Sequence, residues 1–240
     1  MYRNSFKCAA MRKAALALFG LFSAALAAPA WARTPVVVEL YTSQGCSSCV
    51  KSGAVLTDLP AKPPVLTLTF GVDYWNYLGW SDTFAKPEFT SRQRDYMTRL
   101  ALREVYTPQV VIDGRFETAA VSADQVEPLI KQAARTRPDP PQITFRKNRV
   151  AIGSGRAPKG GGEVWLVRYD PQNQTVLVKS GENHGQSLIE HDVVRELIRL
   201  GPWSGHPKSY DLPEPSAEGL GAAVLVQGAH GGPILAVGQP

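Results

Sequence analysis

Val36-Val-Val-Glu-Leu-Tyr-Thr-Ser-Gln-Gly-Cys-Ser-Ser-Cys-Val50 is the stretch from which the rest of the chain is read. A run rich in β-branched residues predicts a strand, Gly45 cuts it, and Cys46 and Cys49 follow three positions apart. On a helix, positions i and i+3 share one face, so the two sulfurs come within disulfide reach. Cys46 is expected at a helix N-terminus, where unpaired N–H groups and the helix dipole favour a thiolate. Cys49 is expected one turn further in and more shielded. Strand, loop, Cys-x-x-Cys and helix, in that order, are what a thiol–disulfide exchange centre requires.

Upstream, residues 1–32 read as a cleavable export signal. Arg3, Lys7, Arg12 and Lys13 form a positive leader, Ala14–Ala27 is apolar, and Ala30-Trp31-Ala32 supplies a small-x-small cleavage pattern. The apolar run is too short for an ordinary membrane span. The expected product is periplasmic or secreted, with no stable membrane insertion after cleavage. Cleavage also changes the charge: four of the 26 basic residues leave with the signal, so 22 face 21 acidic ones. The basic character of the whole chain therefore says nothing about nucleic acid, and no basic patch interleaved with aromatics is present.

Cys8 departs with the signal, which leaves Cys46 and Cys49 as the cysteines of the mature chain. Their loop is too small to make a useful staple, because chain-entropy stabilisation grows with loop length. That favours a working disulfide over a structural one.

The proline-rich stretch Arg135-Thr-Arg-Pro-Asp-Pro-Pro-Gln142 marks a boundary, since it forbids a regular helix. Two domains are expected, 33–137 and 138–240. In the first, a helix continues through Val50–Leu59 and ends at Pro60. Pro64–Asp73 is a second strand, and Tyr74–Trp80 is an aromatic turn expected mainly to pack. Ser81–Leu102 reads as helical and interrupted at Pro87. A strand follows Tyr106-Thr107-Pro108, and Arg115–Val121 pairs back across an Asp113-Gly114 turn. Ser122–Arg135 is a last helix, with Ser122 as N-cap and Val126, Leu129 and Ile130 on one face.

This β-α-β-α-β-β-α order, with Cys-x-x-Cys at the first helix and Thr-Pro before the hairpin, resembles the thioredoxin fold. More closely, the chain resembles a bacterial exported thioredoxin-like family catalogued as a domain of unknown function (DUF 1223). The segments that carry the resemblance are Glu39–Cys49, Val72–Trp80, Val105–Gln109, Gly181–Gly185 and Val193–Arg195. Val50-Lys51 and Gly71 depart from it, since members commonly have prolines after the second cysteine and many have His at the latter place. The resemblance implies a cis bond before Pro108, with that proline packed against the cysteines, and a Thr107 backbone offered to an extended substrate chain. The expected architecture is an α/β thioredoxin-like domain followed by a smaller, mainly-β, sandwich-like domain.

For the chemistry, Cys46 is the expected nucleophile and Cys49 the residue that resolves the mixed disulfide. An unperturbed thiol, at about 8.5, is mostly protonated at neutral pH. Ser47 and Ser48 can donate hydrogen bonds to sulfur, while Lys51 is expected to be solvated. Glu39 has two readings: a buried proton relay behind Cys49, or an edge carboxylate facing solvent or pairing with an arginine. Trp75, with Thr107 and Pro108, is expected to shape the substrate groove.

In the second half, Ile143–Gly153 reads as a hairpin around Lys147-Asn148. Glu163–Tyr169, Thr175–Lys179, Ala223–Gln227 and Ile234–Val237 read as strands. His191–Leu200 fits either a helix or a strand. His184, His191, His206 and His230 are scattered and expected at the surface, so neither a metal nor a cofactor is expected. The function these readings support is disulfide exchange with protein substrates and a redox partner protein. The alternatives are a Cu(I) metallochaperone using the same cysteines, or a non-catalytic binding module.

Overall fold

The computed structural model describes residues 1–2, 34–59, 63–136 and 139–240. Apart from its first two residues, the expected signal lies outside them, as do Pro60 and, within the expected boundary, Arg137 and Pro138. Among the described residues, no helix is long and apolar enough to cross a membrane.

Strand β1 (Val36–Thr42) is buried at every position, parallel to β2 (Val65–Gly71) and antiparallel to β3 (Gln109–Ile112). A central strand covered on both faces needs a continuous apolar run, and Val36-Val37-Val38 supplies it. β3 turns back into β4 (Phe116–Ala119) through Asp113-Gly114-Arg115, a loop one residue longer than expected. Asp113 and Gly114 there have φ of 50° and 60°, a conformation that Asp and Gly tolerate best.

Three helices belong to this half: α1 (Ser52–Thr57), α2 (Pro87–Arg99) and α3 (Ala123–Arg135). Two differ from expectation. Cys46 caps a single 3-10 turn, Ser47–Cys49, that ends in Cys49, so the cysteines do not share one continuous helix, and α1 begins only at Ser52. Cys46 thus precedes a short turn with little macrodipole. Pro87 does not interrupt a helix but opens one, at a first-turn position where its missing N–H costs nothing.

After the boundary come β5 (Ile143–Arg146), β6 (Arg149–Ile152), β7 (Gly162–Asp170), β8 (Gln174–Leu177), β9 (Ser187–Glu190), β10 (Val193–Trp203), β11 (Lys208–Asp211), β12 (Gly221–Gly228) and β13 (Ile234–Gly238). β9 and β11 have no counterpart in the sequence reading, and β10 resolves the ambiguous stretch as a strand. Four of these strands do not build a separate sandwich. They extend the first sheet, whose order is β13-β12-β7-β10-β2-β1-β3-β4. The join is the parallel pairing of Val193 with Thr69, supported by Thr69 N–H to the Asp192 carbonyl at 2.9 Å. Arg33–Pro240 accordingly forms one compact unit, not two.

Alternation along β1 sorts the core. Val37 and Tyr41 face α2 and join Phe70, Phe89 and Tyr96. Tyr41 stacks on Phe70 at 5.2 Å, and Phe89 meets Phe70 edge-on at 5.3 Å; such pairs contribute roughly 0.5–1.5 kcal/mol each beyond burial. Val36, Val38 and Leu40 face the other way, onto Val55 and Leu56 of α1 and Val126 and Ile130 of α3. Farther along the large sheet, β11-β6-β5 forms a small second sheet whose Val150, Ile152 and Tyr210 share a core with Val164, Leu166 and Trp203.

Candidate functional site

Cys46 and Cys49 form a disulfide with Cα atoms 5.3 Å apart. Both are buried, whereas Ser47 and Ser48 between them are exposed. The loop leading to them is closed by Cys46 N–H to the Ser43 carbonyl at 3.1 Å and Cys49 N–H to the Cys46 carbonyl at 3.0 Å.

The Thr107–Pro108 bond is cis, and Thr107 lies against the disulfide. Its hydroxyl is 3.2 Å from Cys46 Sγ and also accepts the Trp75 indole N–H at 2.8 Å. An indole N–H only donates, so the Thr107 proton is left free for sulfur. Ser48 Oγ is also 3.2 Å from Cys46 Sγ and reaches the Thr107 carbonyl at 3.4 Å. The Thr107 hydroxyl thus donates to the sulfur expected to attack, while the single Ser48 proton is shared between that sulfur and the Thr107 carbonyl. Donation to a thiolate favours its charged form. Ser48 takes the part foreseen for both serines, while Ser47 faces solvent. Half-buried Trp75 holds Thr107 in addition to lining the surface, and Lys51 is exposed as expected.

Glu39 is neither at an edge nor behind Cys49. It is fully buried on the α2 face of β1, the face opposite α1, and pairs with Arg92, whose Nε donates to Glu39 Oε1 at 2.9 Å. Arg92 also donates to Tyr96 and Gln227; burial works against its charge, but the paired Glu39 carboxylate and the tyrosines together outweigh it and hold the guanidinium above its ordinary value. This is a structural ion pair on the far side of the sheet.

Several residues the sequence reading did not single out hold the site together. Asn183 Nδ2 donates to the carbonyls of Gln44 and Cys46, at 2.9 and 3.0 Å, so one amide from the second half ties down the cysteine loop. Gln44 N–H donates to Asp82 at 2.8 Å, and Gln44 Oε1 accepts from Trp80 Nε1 at 3.0 Å. Burial raises Asp82 despite three backbone N–H donors. The loop around Asn183 docks on the aromatic turn: Gly181, at φ 75°, would place a Cβ 3.0 Å from the Leu78 carbonyl. Glycine is required there on both counts. The Gly181–Gly185 motif was the available signal, but nothing local tells which loop it clasps.

Among the described residues, no group of three or more His, Cys, Asp or Glu side chains could hold a metal. His184, His206 and His230 are exposed, and His191 is bonded to Asn173.

Comparison with known proteins adds two findings. The profile of a family described as "Protein of unknown function (DUF1223)" matches residues 37–227. The crystal structure of a structural-genomics target protein from Agrobacterium tumefaciens superposes with a TM-score of 0.68 at 32% identity, covering 85% of this chain and 92% of that one. No curated protein matches the chain.

Proposed function

This chain belongs to the DUF1223 family of proteins of unknown function, and from that premise we propose that it is an exported thiol–disulfide oxidoreductase acting on protein substrates. The observation that carries the reading is the Cys46–Cys49 disulfide with the Thr107 and Ser48 hydroxyls aimed at Cys46. A purely structural staple has no use for donors that stabilise a leaving or attacking thiolate.

In this reading Val36–Arg135 is a thioredoxin-like module. Its support is the strand order β2-β1-β3-β4, α1 and α3 on one face with α2 on the other, and the cis bond beside the disulfide. Cys46 attacks a substrate disulfide, Cys49 releases the product, and Thr107 with Pro108 and Trp75 borders the substrate chain. The leader pattern of residues 1–32 supports an exported, disulfide-permissive setting.

A Cys49→Ser variant expressed in the native host tests the reading. It should accumulate mixed disulfides between Cys46 and exported proteins, released by reductant, and the wild-type couple should equilibrate with glutathione between roughly −120 and −270 mV. A variant that stays a clean monomeric thiol, with a wild-type potential well below about −300 mV, sinks the proposal.

A further inference from the structure

The disulfide has a neighbour that the exchange reading does not use. A cavity of about 10 Å3 borders Cys49 and is lined by Thr42, Ser43, Ser52 and Glu190 as well; that is room for about one water molecule among polar partners. Glu190 comes from β9, whose alternation turns Leu188 and Glu190 inward and Ile189 outward. It lies on the α1 side of the sheet, the side of Cys49, and is 7% exposed, with no hydrogen-bond partner at Oε2 among the described residues.

The approach of β9 is built into α1. A Cβ on Gly53 would stand 2.7 Å from the Ile189 carbonyl oxygen, nearer than real side chains allow, so this close contact needs glycine. A buried carboxyl with one oxygen unpartnered and no cation bonded to it is least costly when it keeps its proton. Desolvation, and then the charge of Asp82, push Glu190 up to about 8, while Gln44 and Arg195 pull it back. Of the other ionisable groups nearby, His191 is engaged by Asn173 and Asp192 by Thr67.

Resting on the exchange reading, we infer that Glu190 is the proton partner of Cys49, acting across this cavity. When the pair becomes oxidised, Cys46 Sγ is first bonded to the substrate sulfur. The Cys49 thiol passes its proton to the Glu190 carboxylate and attacks Cys46 Sγ. The Cys46–Cys49 bond forms, the bond from Cys46 to substrate breaks, and the electron pair leaves on the substrate sulfur, which solvent protonates. In the reverse direction a substrate thiolate attacks Cys46, and Cys49 leaves taking the proton from the Glu190 carboxyl. The substrate is the only oxidant or reductant involved.

Glu190→Gln keeps the shape and removes the acid. With oxidised glutathione as probe in stopped flow, formation of the Cys46–glutathione bond should be unchanged. Its resolution by Cys49 should slow about 100-fold at pH 7, with the gap closing at high pH as Cys49 ionises unaided. Glu190→Asp should recover part of the rate. Identical resolution rates and pH profiles in wild type and Glu190→Gln overturn the inference. If the wild type does not react with oxidised glutathione, the exchange reading fails instead, and Glu190 is judged separately. In Cys46→Ser, titrating the Cys49 thiolate by its ultraviolet absorbance should give a midpoint lowered by about one pH unit when Glu190→Gln is added. An unmoved midpoint overturns the inference on its own.

Discussion

Glu39 and Glu190 are both buried glutamates, on opposite faces of one sheet, and they differ in what surrounds the carboxyl. Glu39 has the Arg92 guanidinium against it, within a network that reaches Tyr96 and Gln227. Glu190 has no cation bonded to it and faces Asp82. A buried acid beside a cation is held as part of the frame, whereas a buried acid without one retains a proton it can exchange. Burial alone does not separate structure from chemistry; the partner does.

The largest effect that could break this contrast is on the Glu39 side. Arg92→Met should destabilise the protein by about 3–5 kcal/mol, because it strands a charge in the core; a urea midpoint that hardly moves would mean that Glu39 is not held as an ion. Glu190 should act through pH. Its folded value is raised from the ordinary 4.5 to about 8, so between those limits the native state holds a proton that the unfolded chain has lost. The stability this confers is complete below pH 4.5, declines as pH rises, and is gone above 8. Between pH 5 and pH 9, wild type should therefore lose on the order of 4 kcal/mol more than Glu190→Gln, as read by denaturation at each pH. Parallel curves would place Glu190 in the same class as Glu39.

Asn183→Ala tests how the second half reaches the site. Two buried carbonyls lose their donor, which should cost about 1–3 kcal/mol and speed hydrogen exchange across residues 43–49 while β1 stays protected. Smallest should be Thr107→Val, a change within about 1 kcal/mol in stability that removes a donor to sulfur. It should raise the titration midpoint of reduced Cys46, followed by alkylation rate against pH; an unchanged midpoint would leave Ser48 as the donor that matters.

What could be read from the sequence was local. The strand before Gly45, the cysteine spacing and the Asp113-Gly114 turn each carry their meaning within a few residues, whereas the part of Thr107-Pro108 is implied only by the family resemblance. Asn183 and Glu190 carry no such local meaning, because their place at the site follows from strand pairings more than a hundred residues away. β10 shows a subtler failure. Its pairing with β7 is interrupted between Val194 and Glu196 and between Arg199 and Gly201. A bulge adds one residue and reverses which face the next residues see, so Val194 and Leu197, three apart, enter the same core. That spacing imitates a helix. For Glu39 the arginine pairing expected as one of two readings is present, on a central strand rather than an edge. Alternation excludes the relay reading by assigning Glu39 to the α2 face once Leu40 is known to meet α1.

The pairing of β10 with β2 also has a meaning in time. A chain synthesised from its N-terminus presents Cys46 and Cys49 more than a hundred residues before Asn183 and Glu190. The two thiols can therefore meet an oxidant while their loop is unclasped and their proton partner absent. Only the arrival of the last strands converts a bond that any short peptide could make into one the finished protein controls.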